Sequence, residues 1–196
     1  MPAGFKYNLN AEPVIEELCR FETVFRHSGG FNLDDSSLVE GSIIPVLAPI
    51  AVDFATRKVK VVKNVTIVEA ATATATEYKI AKNSLVSVGM FLGTGSKGAE
   101  VTAIDKTNAD YDLITVGATI GAAVTIDQVL FESTAVGGST PKNVANKLNY
   151  ARTKVEPGAT ITAVGRAYEI IESKLKLPIS DKDKASLGDN FMFQPQ

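Results

Sequence analysis

Side chains able to do covalent chemistry are few. Cys19 and His27 are the sole thiol and the sole imidazole, eight residues apart. Nucleophilic catalysis needs such a pair within hydrogen-bond reach, plus a third group to orient the ring. On a helix, eight residues separate the two by ~12 Å along the axis, and on a strand by more. Cys19 therefore reads as a small packing residue and His27 as a surface or interface residue. The string Gly93-Thr94-Gly95-Ser96-Lys97-Gly98 matches a glycine pattern that lets backbone approach a pyrophosphate. That use requires a helix straight after it, whereas residues 99 to 105 read AEVTAID, a strand. A Walker loop is excluded because Gly98, not Ser or Thr, follows Lys97. The glycines are expected to supply positive φ angles in a hairpin loop.

Asp105, Asn108, Asp110 and Asp112 fall within IDKTNADYD, an oxygen-rich run of the kind that can hold calcium. The run lacks the mid-loop glycine and terminal glutamate of an EF-hand, so a turn between strands is expected, with Asp and Asn bonding their own backbone. The carboxylate pairs Asp34-Asp35 and Asp181/Asp183 sit in polar segments expected to be solvated, and offer no tuned acid and base. Asn64-Val65-Thr66 is a formal glycosylation acceptor without an export signal to give it meaning. One cysteine and one histidine leave no ligand set for structural zinc and no internal disulfide. No catalytic residue, metal site or cofactor is assigned.

The elements that hold these residues follow from composition and period. The chain has 196 residues, 45% of them hydrophobic and 21% charged, which fits one globular domain with a tail. Twenty Lys and Arg against 22 Asp and Glu give a net charge of −2, with a pI near 5.5 and a mean hydropathy of +0.09. Such a balance argues against a surface built to neutralise phosphates, so nucleic acid is not an expected partner. The longest apolar run, Ile43 to Val52, has ten residues interrupted by Pro45 and Pro49, too short to span a bilayer as a helix. No membrane partner is expected.

Residues 13 to 26 admit two readings. Pro13 suits a first helical position, and Val14, Leu18, Phe21 and Phe25 share a stripe at helical spacing. Phe21, Thr23 and Phe25 equally alternate with Glu22, Val24 and Arg26, as in a strand. Ser28, Gly29 and Gly30 then break any regular element, so residues 1–40 read as an extended N-terminal arm for attachment or subunit interlocking. From Ser42 onward strands dominate. Residues 57 to 69 read RKVKVVKNVTIVE, a strand or a bent pair, in which Lys58, Lys60 and Lys63 would discourage edge pairing. Thr72 to Thr76 reads as a surface loop or edge. Tyr78–Ala81, Leu85–Leu92, Glu100–Ile104, Leu113–Thr119 and Gln128–Ser133 are further strand-length runs at close spacing.

The expected fold is mainly β, an antiparallel barrel- or sandwich-like domain over residues 41–136. Residues 137–196 are expected to form a C-terminal hairpin and one short helix, packed on that domain or on a neighbouring subunit. The hairpin arms, Asn149–Glu156 and Ala159–Glu172, flank Pro157-Gly158, a type II turn pair whose twist requires a connection wider than two residues. Ser180, Asp183 and Gly188 outline the helix with its cap and stop.

The order of GGFNLDD (29–35), LAPIAVD (47–53), KNSL (82–85), AIDKTNADYD (103–112), VLFE (129–132), LNYA (148–151) and GDNFMF (188–193) resembles phage and prophage head fibre proteins, which decorate capsids. The resemblance covers residues 29 to 193, and its specificity lies in the order and spacing of these strings. It implies a non-enzymatic virion protein, a homotrimer docked on the major capsid protein, made in the bacterial cytoplasm and carried on the capsid exterior. The candidate capsid or subunit contacts are Phe21, Phe25, Phe31 and Leu33, apolar residues of the arm without an obvious partner in a self-contained β domain. The competing readings are a carbohydrate-binding or adhesin module taking host-surface or mucus glycans, and another virion part such as a tail or neck component. Aromatics at 7% with no tryptophan disfavour a glycan platform.

Overall fold

The computed structural model describes residues 17–194. In chain order the first strands are β1 (Arg20–Arg26), β2 (Phe31–Leu33), β3 (Ile43–Ile44), β4 (Pro49–Asp53), β5 (Lys58–Val61) and β6 (Asn64–Thr66). They are followed by β7 (Glu77–Ala81), β8 (Phe91–Gly93), β9 (Gly98–Asp105), β10 (Tyr111–Val116) and β11 (Val129–Glu132). The last elements are β12 (Lys147–Asn149), β13 (Thr153–Lys154), β14 (Thr160–Ile161), β15 (Ala163–Ile171), helix α1 (Asp181–Leu187) and β16 (Phe191–Gln194). The fold is mainly β, as the sequence leads one to expect.

Two curled sheets make up the body. The larger runs β1-β15-β12-β4-β5-β2-β14, with β16 added beside β15. Its two flanks are held by one stretch of chain, because β14 and β15 are separated only by Thr162. The sheet thus curls round on itself around Phe31, Ile50, Val59, Val61, Ile161 and their neighbours. In β5 the sequence KVKV does what period-two patterning dictates: Val59 and Val61 are buried, Lys58 and Lys60 exposed. The smaller sheet runs β6-β11-β8-β9-β10-β7, and the bridge between Ile67 and Ile80 brings it back to its starting strand. Tyr78, Ile80, Leu92, Val101, Ile114 and Leu130 fill it. Most pairs are antiparallel, but β2–β5 and β15–β16 are parallel.

Sheet membership crosses the boundaries drawn at residues 40 and 136. Strands β1 and β2 from the described part of the expected arm, together with β12, β14 and β15, belong to the larger sheet, and residues 64–132 are inserted between its two halves. The physical reason is register. Arg26 pairs with Val164 and Phe31 with Ile161, so residues 20–33 run antiparallel along residues 160–168 with only the Ser28–Gly30 break between. The helical reading of residues 13–26 gives way to a strand over Arg20–Arg26. The proposed helical start at Pro13 and Val14 lies outside the described residues.

Several local expectations are met in detail. The RKVKVVKNVTIVE run bends at Val62–Lys63 into β5 and β6, which belong to different sheets. The hairpin of β12 and β15 encloses a wide excursion in which β13 pairs with β3 and β14 with β2. At its tip Ala159 N–H donates to Glu156 O at 3.0 Å, with Gly158 at φ 78°. Ser180 and Asp183 form a reciprocal capping box on α1, and Gly188 ends the helix with φ 59°. Leu85–Leu92, expected to be a strand, is mostly irregular, and β8 begins only at Phe91. A turn in which Met90 N–H donates to Ser87 O, with Gly89 at φ 86°, interrupts it.

Candidate functional site

The site is built on β1, which among the described residues pairs on one side only, with β15. The pairing is irregular: Arg20 faces Tyr168, yet Phe25 faces Arg166, so a five-residue advance along β1 matches a two-residue advance along β15. Thr23 closes the bulge, its hydroxyl donating to Arg20 O at 2.7 Å and accepting from Tyr168 N–H at 2.9 Å. Arg20 lies 3.6 Å from Glu169, and Arg26 stacks 4.6 Å above the Tyr150 ring. Phe21 and Phe25 flank Thr23 and are 52% and 59% exposed. Among the described residues, this edge strand thus carries two exposed phenylalanines set between charges.

The other two candidate contacts are placed differently. Phe31 is fully buried in the core of the larger sheet, edge-on to Phe54 at 5.5 Å and capped by the Arg57 guanidinium at 4.4 Å. Leu33 is half-buried against the same core. Of the four residues, β1 brings together Phe21 and Phe25, while Phe31 and Leu33 face inward on β2.

Groups with chemical potential are packed or bonded internally, and the buried Nε2 of His27 has no hydrogen-bond partner among the described residues. Cys19 is buried, and burial raises its thiol pKa, the neighbouring Glu17 adding to the shift. His27 is half-buried rather than at the surface, edge-on to Phe54 at 5.2 Å, with Nε2 against Gly165. The oxygen-rich run joins β9 to β10 as a turn, with Asx bonds from Thr107 N–H to Asp105 at 2.9 Å and from Asp110 N–H to Asn108 at 2.8 Å. Its centre is held by a side chain the motif itself does not contain. Lys82 Nζ donates to Asn108 O at 2.7 Å, Lys106 O at 3.1 Å and Asp112 Oδ1 at 2.7 Å. An ammonium thus sits among the oxygens that a cation would claim.

Gly93 to Gly98 is the β8–β9 hairpin loop, with Gly95 at φ 101°. Two of its glycines serve close approach instead of φ: a Cβ on Gly93 would come within 2.6 Å of Gly138 Cα, and one on Gly98 within 2.7 Å. Asp183 corrects the expectation of a solvated pair. It is 2% exposed, accepting from Asn64 Nδ2 at 2.7 Å, Ala145 N–H at 2.7 Å and Ser180 Oγ at 2.6 Å. Lys63, expected to guard an edge, is buried and paired with Glu132. The local sequence does not show what Lys63, Lys82 or Gly138 meets, because their partners lie 24 residues or more away along the chain. Among the described residues no cluster of three metal-ligating side chains occurs, and no helix is long and apolar enough to cross a membrane.

These features define a β-rich protein whose internal charges tie strands and loops together and whose edge strand β1 exposes two phenylalanines. The family model of head fiber proteins matches residues 2–196, and the chain belongs to the phage head fibre protein family, a structural, virion-associated family. Comparison with curated proteins and with solved structures finds no match.

Proposed function

We propose that this protein is a non-enzymatic head fibre that decorates the exterior of a phage capsid as a homotrimer, docking on the major capsid protein. Phe21 and Phe25 supply contacts, while Phe31 and Leu33 pack into the core of the larger sheet. The observation that carries the reading is the pair of exposed phenylalanines on the edge strand β1. Covering such rings gains about 1.5–3 kcal/mol each, enough for a few of them to anchor an interface. Assembly takes place in the bacterial cytoplasm, and the protein then stays on the capsid.

Light scattering of the full-length protein tests assembly, with an expected mass three times the 20.8 kDa chain. The double substitution Phe21→Ser/Phe25→Ser is expected to lower that mass and to abolish co-sedimentation with fibreless capsids, while circular dichroism stays unchanged. A monomer at micromolar concentration overturns the trimer. Capsid binding that survives the double substitution overturns the role of β1.

A further inference from the structure

A second surface, distinct from β1, carries a more specific chemistry. Leu18, Ile43, Pro45 and Val46 line a groove of about 300 Å³. All four are half-buried, so the groove has an apolar floor left open to solvent. Its rim carries Arg152, Lys174 and Lys176, all exposed. No carboxylate lines it, and among the described residues none lies within ion-pairing distance of these three cations. Three unpaired cations around one apolar floor are a local concentration of charge in a chain whose net charge is −2.

From this juxtaposition we infer that the groove is a docking site for an acidic peptide segment of a partner protein, an apolar residue seated on the floor and flanking carboxylates on the rim. Charge complementarity selects the occupant. A guanidinium and two ammonium groups match carboxylates by charge-assisted hydrogen bonds, and Arg152 can engage one of them through two donors at once. Size narrows it further. A space of this volume is at the small end of ligand pockets, and one or two side chains of a bound segment fill it. Lys174 already donates to Glu17 O at 3.1 Å, which fixes one wall and leaves Arg152 and Lys176 as the freer binding groups. The inference goes beyond the β1 reading and does not depend on assembly.

The test is fluorescence anisotropy with the full-length protein and a fluorescein-labelled hexapeptide, Asp-Glu-Val-Leu-Glu-Asp. The expected result is saturable binding that weakens steeply as salt rises. It should fall at least about tenfold in Arg152→Glu/Lys176→Glu, as expected when attractive charges at an interface become repulsive. A matched peptide with Lys and Arg in place of the acids should not bind. Both substituted side chains are exposed, so an unchanged melting curve is expected and verifies folding. Absence of binding, binding indifferent to the double substitution, or equal binding of the basic peptide would each overturn the proposal. Because the assay reads peptide capture and light scattering reads subunit number, either result can fail without the other.

Discussion

The ammonium of Lys63 lies 3.2 Å from Glu132 Oε1, and the two side chains are only 2% and 5% exposed. Lys142 approaches the same oxygen at 2.9 Å, and Lys63 also donates to Ser37 O at 3.1 Å. Lys63 is where the chain leaves the larger sheet, and Glu132 is where the smaller one ends. Removing one partner strands a charge away from water. Glu132→Ala is expected to cost about 3–5 kcal/mol, read by urea unfolding, whereas Lys63→Met/Glu132→Leu should cost less than Glu132→Ala alone.

Lys82 is the centre of the β9–β10 turn, and Asp112 beside it is buried. Lys82→Ala is expected to destabilise the protein by about 1–3 kcal/mol, because the carboxylate and the loop carbonyls lose their donor. Amide exchange at residues 106–110 should accelerate. Added calcium should leave the melting temperature of the unsubstituted protein unchanged, since an ammonium holds these oxygens.

Gly93, Gly98 and Gly138 meet with no room for a Cβ between them. Gly93→Ala is expected to cost about 1–3 kcal/mol through overpacking. A melting comparison with Gly95→Ala separates two causes, since a Cβ on Gly95 would meet nothing closer than Phe131 Cε1 at 4.0 Å but sits at φ 101°. The loss at Gly95 is one of backbone conformation, and that at Gly93 one of space.

Burial, with the nearby Lys147 ammonium, holds the His27 imidazole below its ordinary pKa of 6.5. The unfolded chain therefore binds this proton more readily than the folded one. Stability is expected to fall as pH drops through about 6.5 and to level off below the folded-state value. His27→Gln should flatten this part of a stability-against-pH curve measured by chemical denaturation. An unchanged slope in the variant would show that His27 does not set it.

Local signals in the chain were reliable where they acted over a few residues. The Ser180–Asp183–Gly188 helix, the Pro157-Gly158 turn, the glycine hairpin and the alternation in β5 all appear where short-range chemistry puts them. Both periods fit Phe21 and Phe25, so the sequence leaves residues 13–26 open between helix and strand, and pairing with β15 decides for the strand over Arg20–Arg26. The insertion of one sheet into the other was not legible, since it depends on residues 20–33 meeting residues 160–168. Nor was the burial of Asp183, which a polar stretch of sequence disguises; its partners Asn64 and Ala145 are 119 and 38 residues distant. Of the candidate contacts, β1 exposes Phe21 and Phe25 as a strand stripe would, whereas Phe31 looks the same in sequence and is core.

Glu132 N–H donates to Lys63 O at 3.0 Å, so the stretch between them begins and ends at neighbouring points. A piece of chain with adjoining termini enters and leaves its host framework at one place, and here Asn64 on Asp183 and Gly93 on Gly138 tie it down at further points. Exchange of residues 64–131 for another module would therefore have to replace those ties as well as the two ends.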